Sequence, residues 1–191
     1  MKNLTFVFLA VLLSFSVYGQ SGFNVYAGLS NATNRDAKIT PEGTSLPGFM
    51  IGADARLMPD NMYFMLGGQY HQINFLAQED KSFFSIDEKM TWLKFRVGLG
   101  YNLVNFSDNK VILRAKTLGS LNLITSHPEL ASAPYSEANY NSGTAGAVLG
   151  LGLDVLCFTI DVEYERGFFN AVNMVEGTEY DFLTLAVGIV F

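Results

Sequence analysis

Apolar and polar side chains alternate along most of the chain from residue 22 to residue 191. A repeat of two is the pattern of a β-strand whose two faces meet different surroundings. No stretch shows the spacing of three to four residues that an amphipathic helix requires. The pattern predicts eight strands, near residues 22–30, 47–57, 62–75, 89–104, 110–123, 143–156, 157–168 and 180–191.

The predicted connections alternate in length. Three are short, at residues 58–61, 105–109 and 156–157, and four are long and polar, at residues 31–46, 76–88, 124–142 and 169–179. Short turns at one end and long loops at the other, with an even number of strands, are typical of transmembrane barrels. Each strand also reaches the roughly 9–11 residues that a tilted strand needs to cross a bilayer. We therefore predict an all-β fold, an eight-stranded antiparallel up-and-down transmembrane β-barrel.

The two faces of the predicted strands differ in composition. One face is apolar along the body of every strand, where it holds neither lysine nor glutamate. The other face carries many glycines together with five acidic and five basic residues. Because this density of glycine suits a narrow interior, we expect the apolar face to meet lipid and the charged face to line the lumen. The predicted lumen charges are Asp54, Arg56, Lys94, Arg96, Arg114, Lys116, Asp154, Asp161, Glu163 and Glu165.

The basic and acidic lumen residues fall on different strands. The fourth and fifth strands carry a basic stripe and the seventh an acidic one, and these strands lie roughly opposite each other in a ring of eight. Since buried charges must be paired, we expect a network of salt bridges that closes the lumen. A path for protons or ions is the alternative, and it needs a continuous water column that eight strands seldom enclose. The expected network joins Lys94, Arg96, Arg114 and Lys116 to Asp161, Glu163 and Glu165.

The amino-terminal segment has the features of a secretory signal peptide. Lys2 gives a short positive region, and residues 4–17 form an uncharged apolar run. This run is shorter than the roughly 20 residues of a membrane-spanning helix. We predict residues 1–19 as a signal peptide and residues 20–191 as one outer-membrane barrel domain. Export would place the short turns in the periplasm and the long loops outside the cell.

The last predicted strand ends on Phe191. A terminal aromatic strand resembles that of bacterial outer-membrane barrels, in which it pairs with the first strand and is read by the barrel assembly machinery. With the signal peptide, the eight strands and the start Gln20-Ser21-Gly22-Phe23-Asn24-Val25, the chain resembles the outer-membrane β-barrel domain family that includes PorT-like proteins. It is also similar in architecture to OmpA and OmpX barrels. The resemblance implies the cell outer membrane, lipid contacts and, for some members, a link to protein secretion.

Few residues are candidates for chemistry. His71 and His127 are the only histidines, and neither lies on the predicted lipid face, where eight-stranded lipid A deacylases carry a Ser–His pair. A single cysteine, Cys157, excludes an internal disulfide. No spacing indicates a metal site or a nucleotide loop, so we expect no catalytic residue, no metal and no cofactor. Two roles are open for the inward-facing Trp92: stacking on Lys94 or membership of an interfacial aromatic belt.

The net charge of −6 argues against a nucleic-acid partner. Aromatic residues in the long loops are the best candidates for a protein contact, namely Phe83, Phe84 and Tyr135. We favour a non-enzymatic barrel that acts through its extracellular loops as an accessory subunit of an envelope complex, with a protein secretion system as one candidate. The alternatives are an outer-membrane lipid-modifying enzyme and a small barrel for envelope stability or adhesion.

Overall fold

The chain folds into eight β-strands. The structure, a computed structural model, describes residues 21–34, 45–57, 61–74, 89–106, 110–127, 140–173 and 178–191. None of these residues belongs to a helix that is long and apolar enough to cross a membrane. The strands are β1 (Ser21–Asn34), β2 (Ser45–Leu57), β3 (Met62–Asn74), β4 (Lys89–Phe106), β5 (Val111–Ser126), β6 (Gly143–Val155), β7 (Phe158–Gly167) and β8 (Tyr180–Val190).

Each strand pairs antiparallel with its neighbours in sequence, and β8 pairs with β1 to close the barrel. The predicted fold class is therefore confirmed. Phe191 takes part in the closure: its amide donates to the Phe23 carbonyl at 2.8 Å, and the Phe23 amide donates to the Phe191 carbonyl at 3.1 Å. Closure leaves no unpaired sheet edge, so the backbone groups of the strands are satisfied by one another.

The strand register climbs around the barrel. A path of directly opposed residues that begins at Phe23 crosses all eight strands and returns to β1 at Thr33, ten residues further along. We call the end with the β2–β3, β4–β5 and β6–β7 connections the turn end and the opposite end the loop end. Because the stagger tilts the strands, a row that crosses from β1 towards β8 rises towards the loop end.

Side chains alternate between the outer surface and the lumen. In β7 the pattern of exposed and buried residues repeats every second residue over its whole length. Large apolar side chains stay exposed on the outer surface, for example Leu66 at 57% and Val187 at 59%. Charged and small side chains occupy the interior, as the sequence pattern predicts.

Two strand ends differ from the prediction because polar residues continue the ladder. β1 runs to Asn34 rather than to residue 30, and β5 runs to Ser126 rather than to residue 123. In β4 the register shifts between Asn102 and Val104, so that Leu103 and Val104 both face outward, at 48% and 41% exposure. This bulge interrupts the strict alternation and lets β4 continue to Phe106, into the predicted turn.

Several predicted features lie outside the described residues. These are the signal peptide at residues 1–19 and the loop residues Phe83, Phe84 and Tyr135. They stay predictions.

Candidate functional site: the charged lumen

The structure places all ten predicted lumen charges inside the barrel. Nine are at most 5% exposed, and the carboxylate side chain of Asp154, nearest the turn end, is 13% exposed. They come from β2, β4, β5, β6 and β7, because an inward position recurs at every second residue of a strand. The interior is therefore a polar core whose members lie far apart in sequence.

The pair nearest the loop end joins β4 to β7. Lys94 Nζ lies 2.6 Å from Glu165 Oε2. The other oxygen of Glu165 accepts hydrogen bonds from Ser120 Oγ and Asn122 Nδ2, both at 2.7 Å. The Lys94 ammonium also lies 3.3 Å from the centre of the Phe182 ring, a cation–π contact. Each charge of this pair thus has several partners in place of water.

The middle of the lumen is organised by Arg96. Its guanidinium contacts Glu163 Oε2 at 2.5 Å and Asp54 Oδ2 at 2.9 Å. Tyr26 completes a triangle, since its hydroxyl accepts from Arg96 Nη2 at 2.8 Å and donates to Asp54 Oδ1 at 3.0 Å. With its oxygen facing the guanidinium, the Gln69 amide accepts from Arg96 Nη1 at 2.8 Å and donates to His71 Nε2 at 2.8 Å.

The part nearest the turn end is held by alternating carboxylates and cations. Lys116 Nζ lies 2.5 Å from Glu163 Oε1 and 2.9 Å from Asp161 Oδ1. Asp161 also accepts from Arg114, at 2.8 Å. The Asp154 carboxylate accepts from one guanidinium on each oxygen, from Arg114 and from Arg56, both at 2.9 Å, and Arg56 ends the series. Arg114 also donates to Thr159 Oγ1.

Eight of the ten charges therefore form one continuous chain of alternating sign. Every interior member contacts two charges of opposite sign, which offsets the large desolvation penalty of a buried ion. The remaining two, Lys94 and Glu165, pair separately above the chain. The lumen is electrically neutral as a result. The order of the chain is Asp54, Arg96, Glu163, Lys116, Asp161, Arg114, Asp154, Arg56.

Glycines give these long side chains their room. At Gly67, opposite Asp54 on the neighbouring strand, a Cβ would collide with the Asp54 carboxylate and lie 2.7 Å from the Ala53 carbonyl oxygen. At Gly52 a Cβ would lie 2.6 Å from the Tyr26 ring. The inward glycines, which indicate a narrow interior in the sequence, thus leave the space that the charged side chains occupy.

An apolar cluster seals the lumen above the charges. Trp92, 1% exposed, packs edge-on against Tyr180 and Phe182, with ring centres 5.7 Å apart in both cases. Two segments beyond the strands fold over the opening, where Tyr140 and Val172 form an isolated β-bridge. The whole cluster comprises Ala32, Ile73, Met90, Trp92, Tyr140, Ala171, Val172, Tyr180 and Phe182.

The position of Trp92 in this cluster fits neither of the two roles left open for it. The indole lies inside the barrel, so it is not part of an aromatic belt at the lipid surface. The aromatic ring beneath the Lys94 ammonium is that of Phe182 rather than that of Trp92. Both expected roles were therefore wrong, because Trp92 serves as apolar packing with two other aromatic rings.

The two histidines lie apart. His71 is 1% exposed, is held by Gln69 and packs edge-on against Phe182 with ring centres 5.7 Å apart. His127 stacks on Tyr140, with ring centres 4.1 Å apart. The His71 ring therefore lies inside the barrel, away from the outer surface of the strands. Within the described ranges, no group of three or more His, Cys, Asp or Glu side chains is placed to hold a metal ion.

Several polar and aromatic members of the network were absent from the sequence prediction. All of them occupy inward positions, so the alternation that located the charges would also have located these. The alternation does not give the position of a residue along the barrel axis, and this position decides whether an inward hydroxyl or ring contacts a charged side chain. The missed residues are Tyr26, Ser120, Asn122 and Thr159. Alternation did place Gln69 and Phe182 inward, but it did not predict their contacts with Arg96 and Lys94.

Comparison with known proteins places the fold among outer-membrane barrels of solved structure. No protein-family model matches the chain, and no curated protein matches it in sequence. Neisserial surface protein A is 15% identical with a TM-score of 0.56, over 90% of this chain and 97% of that one. The outer membrane protein OprG from Pseudomonas aeruginosa is 13% identical with a TM-score of 0.50, over 90% of this chain and 96% of that one. At these identities the similarity is one of fold.

Proposed function

We propose that this protein is an outer-membrane β-barrel that conducts neither ions nor solutes and acts as a non-enzymatic interaction subunit of an envelope complex. The observation that carries the proposal is the double closure of the lumen. A neutral chain of paired charges fills its middle and turn end, and an apolar cluster covers its loop end. A pore would instead leave charged side chains solvated along a continuous path.

The outer surface supports a membrane location. Outward-facing leucine, valine, isoleucine and phenylalanine side chains are exposed on all of the strands. An apolar surface of this extent would promote association in water, whereas a bilayer accommodates it. Ten charged side chains of the same strands face inward, which is the reverse of a water-soluble barrel. Lipid and, through the Phe191 strand, the barrel assembly machinery are accordingly the first proposed partners.

Because the interior is closed, we infer that the protein binds its partners through the loops at the loop end. Small-molecule passage and catalysis inside the barrel both need open volume, whereas paired charges and packed aromatic rings occupy the described lumen. The PorT-like resemblance supports a complex linked to protein secretion. The proposed contact residues are Phe83, Phe84 and Tyr135, in the second and third long loops, and an export signal at residues 1–19 would bring those loops to the cell surface.

Two measurements test the barrel itself. Purified protein in detergent should migrate differently on a gel before and after boiling, and it should show no steady conductance in planar bilayers where a large porin does. A stable soluble monomer without detergent would contradict the membrane location. A steady conductance would contradict the closed lumen.

The interaction role needs a third measurement, a mild-detergent pull-down from native membranes. Wild type should retain a reproducible set of envelope proteins, and the double substitution Phe83→Ser with Phe84→Ser should lose them. Glu88→Gln in the same loop is the matched control and should retain them. Lipid A from a deletion strain should be unaltered. A changed acylation pattern that His71→Ala reproduces would establish the lipid-modifying alternative instead.

A further inference from the structure

The outer surface carries an apolar recess across β4, β5 and β6. It exists because Gly119 has no side chain and Ala145 a short one, between the larger groups around them. Leu121, which is 63% exposed, forms part of its wall. The recess has a volume of about 440 Å³ and is open to the outside of the barrel. Its lining includes Phe95, Val97, Gly119, Leu121, Ala145 and Phe168.

An arginine lies beside this recess on β7, outside its lining. Gly119 is directly opposite Ala147, and Ala147 is directly opposite Arg166. These three residues lie on the row that rises from Phe23 towards Thr33, so Arg166 is nearer the loop end than Gly119. Arg166 is exposed and faces outward, as do Tyr164 and Phe168 on either side of it.

The charge of Arg166 is available to a ligand. Asp181 is its direct cross-strand neighbour, but the carboxylate accepts from the Tyr164 hydroxyl at 2.9 Å and from the Gly167 amide at 3.3 Å. Among the residues that the structure describes, no ion pair or side-chain hydrogen bond joins the Arg166 guanidinium to a partner. Its planar guanidinium therefore keeps the donors that suit a phosphate group.

We propose that the recess binds an acyl chain of a phosphate-bearing lipid whose headgroup contacts Arg166. This inference rests on the proposed membrane location, in which the loop end meets the outer leaflet. The row that joins the two parts fits that leaflet: from Arg166 it descends through Ala147 to Gly119 and Val97 in the recess, and so from the loop side into the hydrocarbon region. An apolar recess alone would take any chain, and Arg166 makes the site selective for an anionic headgroup.

Two substitutions test the two halves of the site. Arg166→Gln removes the charge. Gly119→Leu fills the recess without straining the fold, because a Cβ at Gly119 would meet nothing nearer than the Val97 carbonyl oxygen at 3.9 Å. Lys89→Gln, on an outward lysine at the loop end of β4, is the control for charge. Ala27→Leu, on the outer face of β1, is the control for added bulk.

The measurement is native mass spectrometry of detergent-purified protein titrated with dioleoyl phosphatidic acid. Dioleoylglycerol, with the same chains and no phosphate, is the comparison. Wild type should retain one phosphatidic acid. Arg166→Gln should raise its dissociation constant about tenfold, the factor expected for one charge-assisted hydrogen bond, and Gly119→Leu should raise it to a similar extent because the leucine side chain occupies the recess. Both controls should stay within about twofold of wild type, and wild type should hold dioleoylglycerol as weakly as Arg166→Gln holds phosphatidic acid.

Three results would overturn the proposal. Equal binding by wild type and both test variants would show that there is no site. Equal losses for Lys89→Gln and Arg166→Gln would reduce the effect to general surface charge. If Gly119→Leu binds phosphatidic acid as tightly as wild type does, the recess holds no acyl chain and only the headgroup contact at Arg166 remains. Gel mobility before and after boiling reports the folding of every variant. If the proposed membrane location is wrong, wild type itself will lack this mobility shift or will be a stable monomer without detergent.

Discussion

The strongest test of the lumen is Glu163→Ala. Glu163 is 5% exposed, and each of its oxygens contacts a cation at 2.5 Å, Arg96 on one side and Lys116 on the other. It is the link between the half of the charge chain that contains Asp54 and the half that contains Asp154. Alanine at this position cuts the chain in two and leaves the lumen with one excess positive charge.

The expected loss follows from the partners that remain. Arg96 retains its salt bridge to Asp54, and Lys116 retains its salt bridge to Asp161. Neither cation is left without a carboxylate, but each loses its shortest contact. Removing one member of a buried pair typically costs about 3–5 kcal/mol. With a urea slope of about 2 kcal/mol per molar, a loss of this size lowers the unfolding midpoint by about 2 M.

Urea unfolding in detergent micelles, followed by the gel mobility of unboiled samples, measures that midpoint. Val162→Ala is the matched control, because its side chain is next in sequence and faces outward at 48% exposure. We expect the control midpoint to stay close to that of wild type. If Glu163→Ala unfolds at the same urea concentration as Val162→Ala, the charges are not a buried, mutually dependent network and the reasoning fails.

A double-mutant cycle separates charge from shape. Combining Glu163→Ala with Lys116→Met restores a neutral lumen, so the double variant should lose less stability than the sum of the two single variants. A coupling of about 1–3 kcal/mol is expected for residues in direct contact. Strict additivity would indicate that packing, rather than charge balance, accounts for the single losses.

Two further substitutions test the fine structure of the lumen. Gly67→Ala should destabilise the barrel by about 1–3 kcal/mol because its Cβ collides with the Asp54 carboxylate, whereas Gly68→Ala, whose nearest contact is the Lys94 carbonyl oxygen at 3.7 Å, should stay within about 0.5 kcal/mol of wild type in the same urea assay. Equal effects would contradict the inward and outward assignment. Tyr26→Phe keeps the ring and removes the hydroxyl between two charges, so a loss of about 1–3 kcal/mol is expected, and an unchanged midpoint would show that these hydrogen bonds are replaced.

The strands and their two faces could be predicted from the sequence because both depend on a local repeat. Glu163 and Glu165 alternate with Val162 and Tyr164, and this alone assigns them to opposite sides. The prediction weakened where the repeat breaks, at the Leu103 bulge, and where polar residues extend a strand, as at the end of β1. Such local departures depend on pairing with a neighbouring strand rather than on the residues themselves.

The identity of the pairs was harder to predict, because it depends on the stagger of the whole barrel. Counting residues from the turns predicted that the basic residues of β4 and β5 lie at the same level along the barrel axis as the acidic residues of β7. It did not reveal that Asp54 also contacts Arg96, or that Arg56 reaches Asp154 across 98 positions of sequence. The apolar cluster at the loop end was missed for the same reason, since Trp92 meets Phe182 only after the barrel closes.

The sequence separation of these partners constrains how the protein can be assembled. Arg96 lies 42 positions from Asp54 and 67 from Glu163, and the barrel closes between β1 and β8, at opposite ends of the described chain. A hairpin that entered the hydrocarbon by itself would carry its arginines or glutamates unpaired, at a severe energetic penalty. Single hairpins therefore have no stable inserted state. In the proposed membrane location, strand pairing, charge neutralisation and entry into the bilayer have to proceed together, and we expect biogenesis to be slow and to need a site that shelters the unfinished sheet.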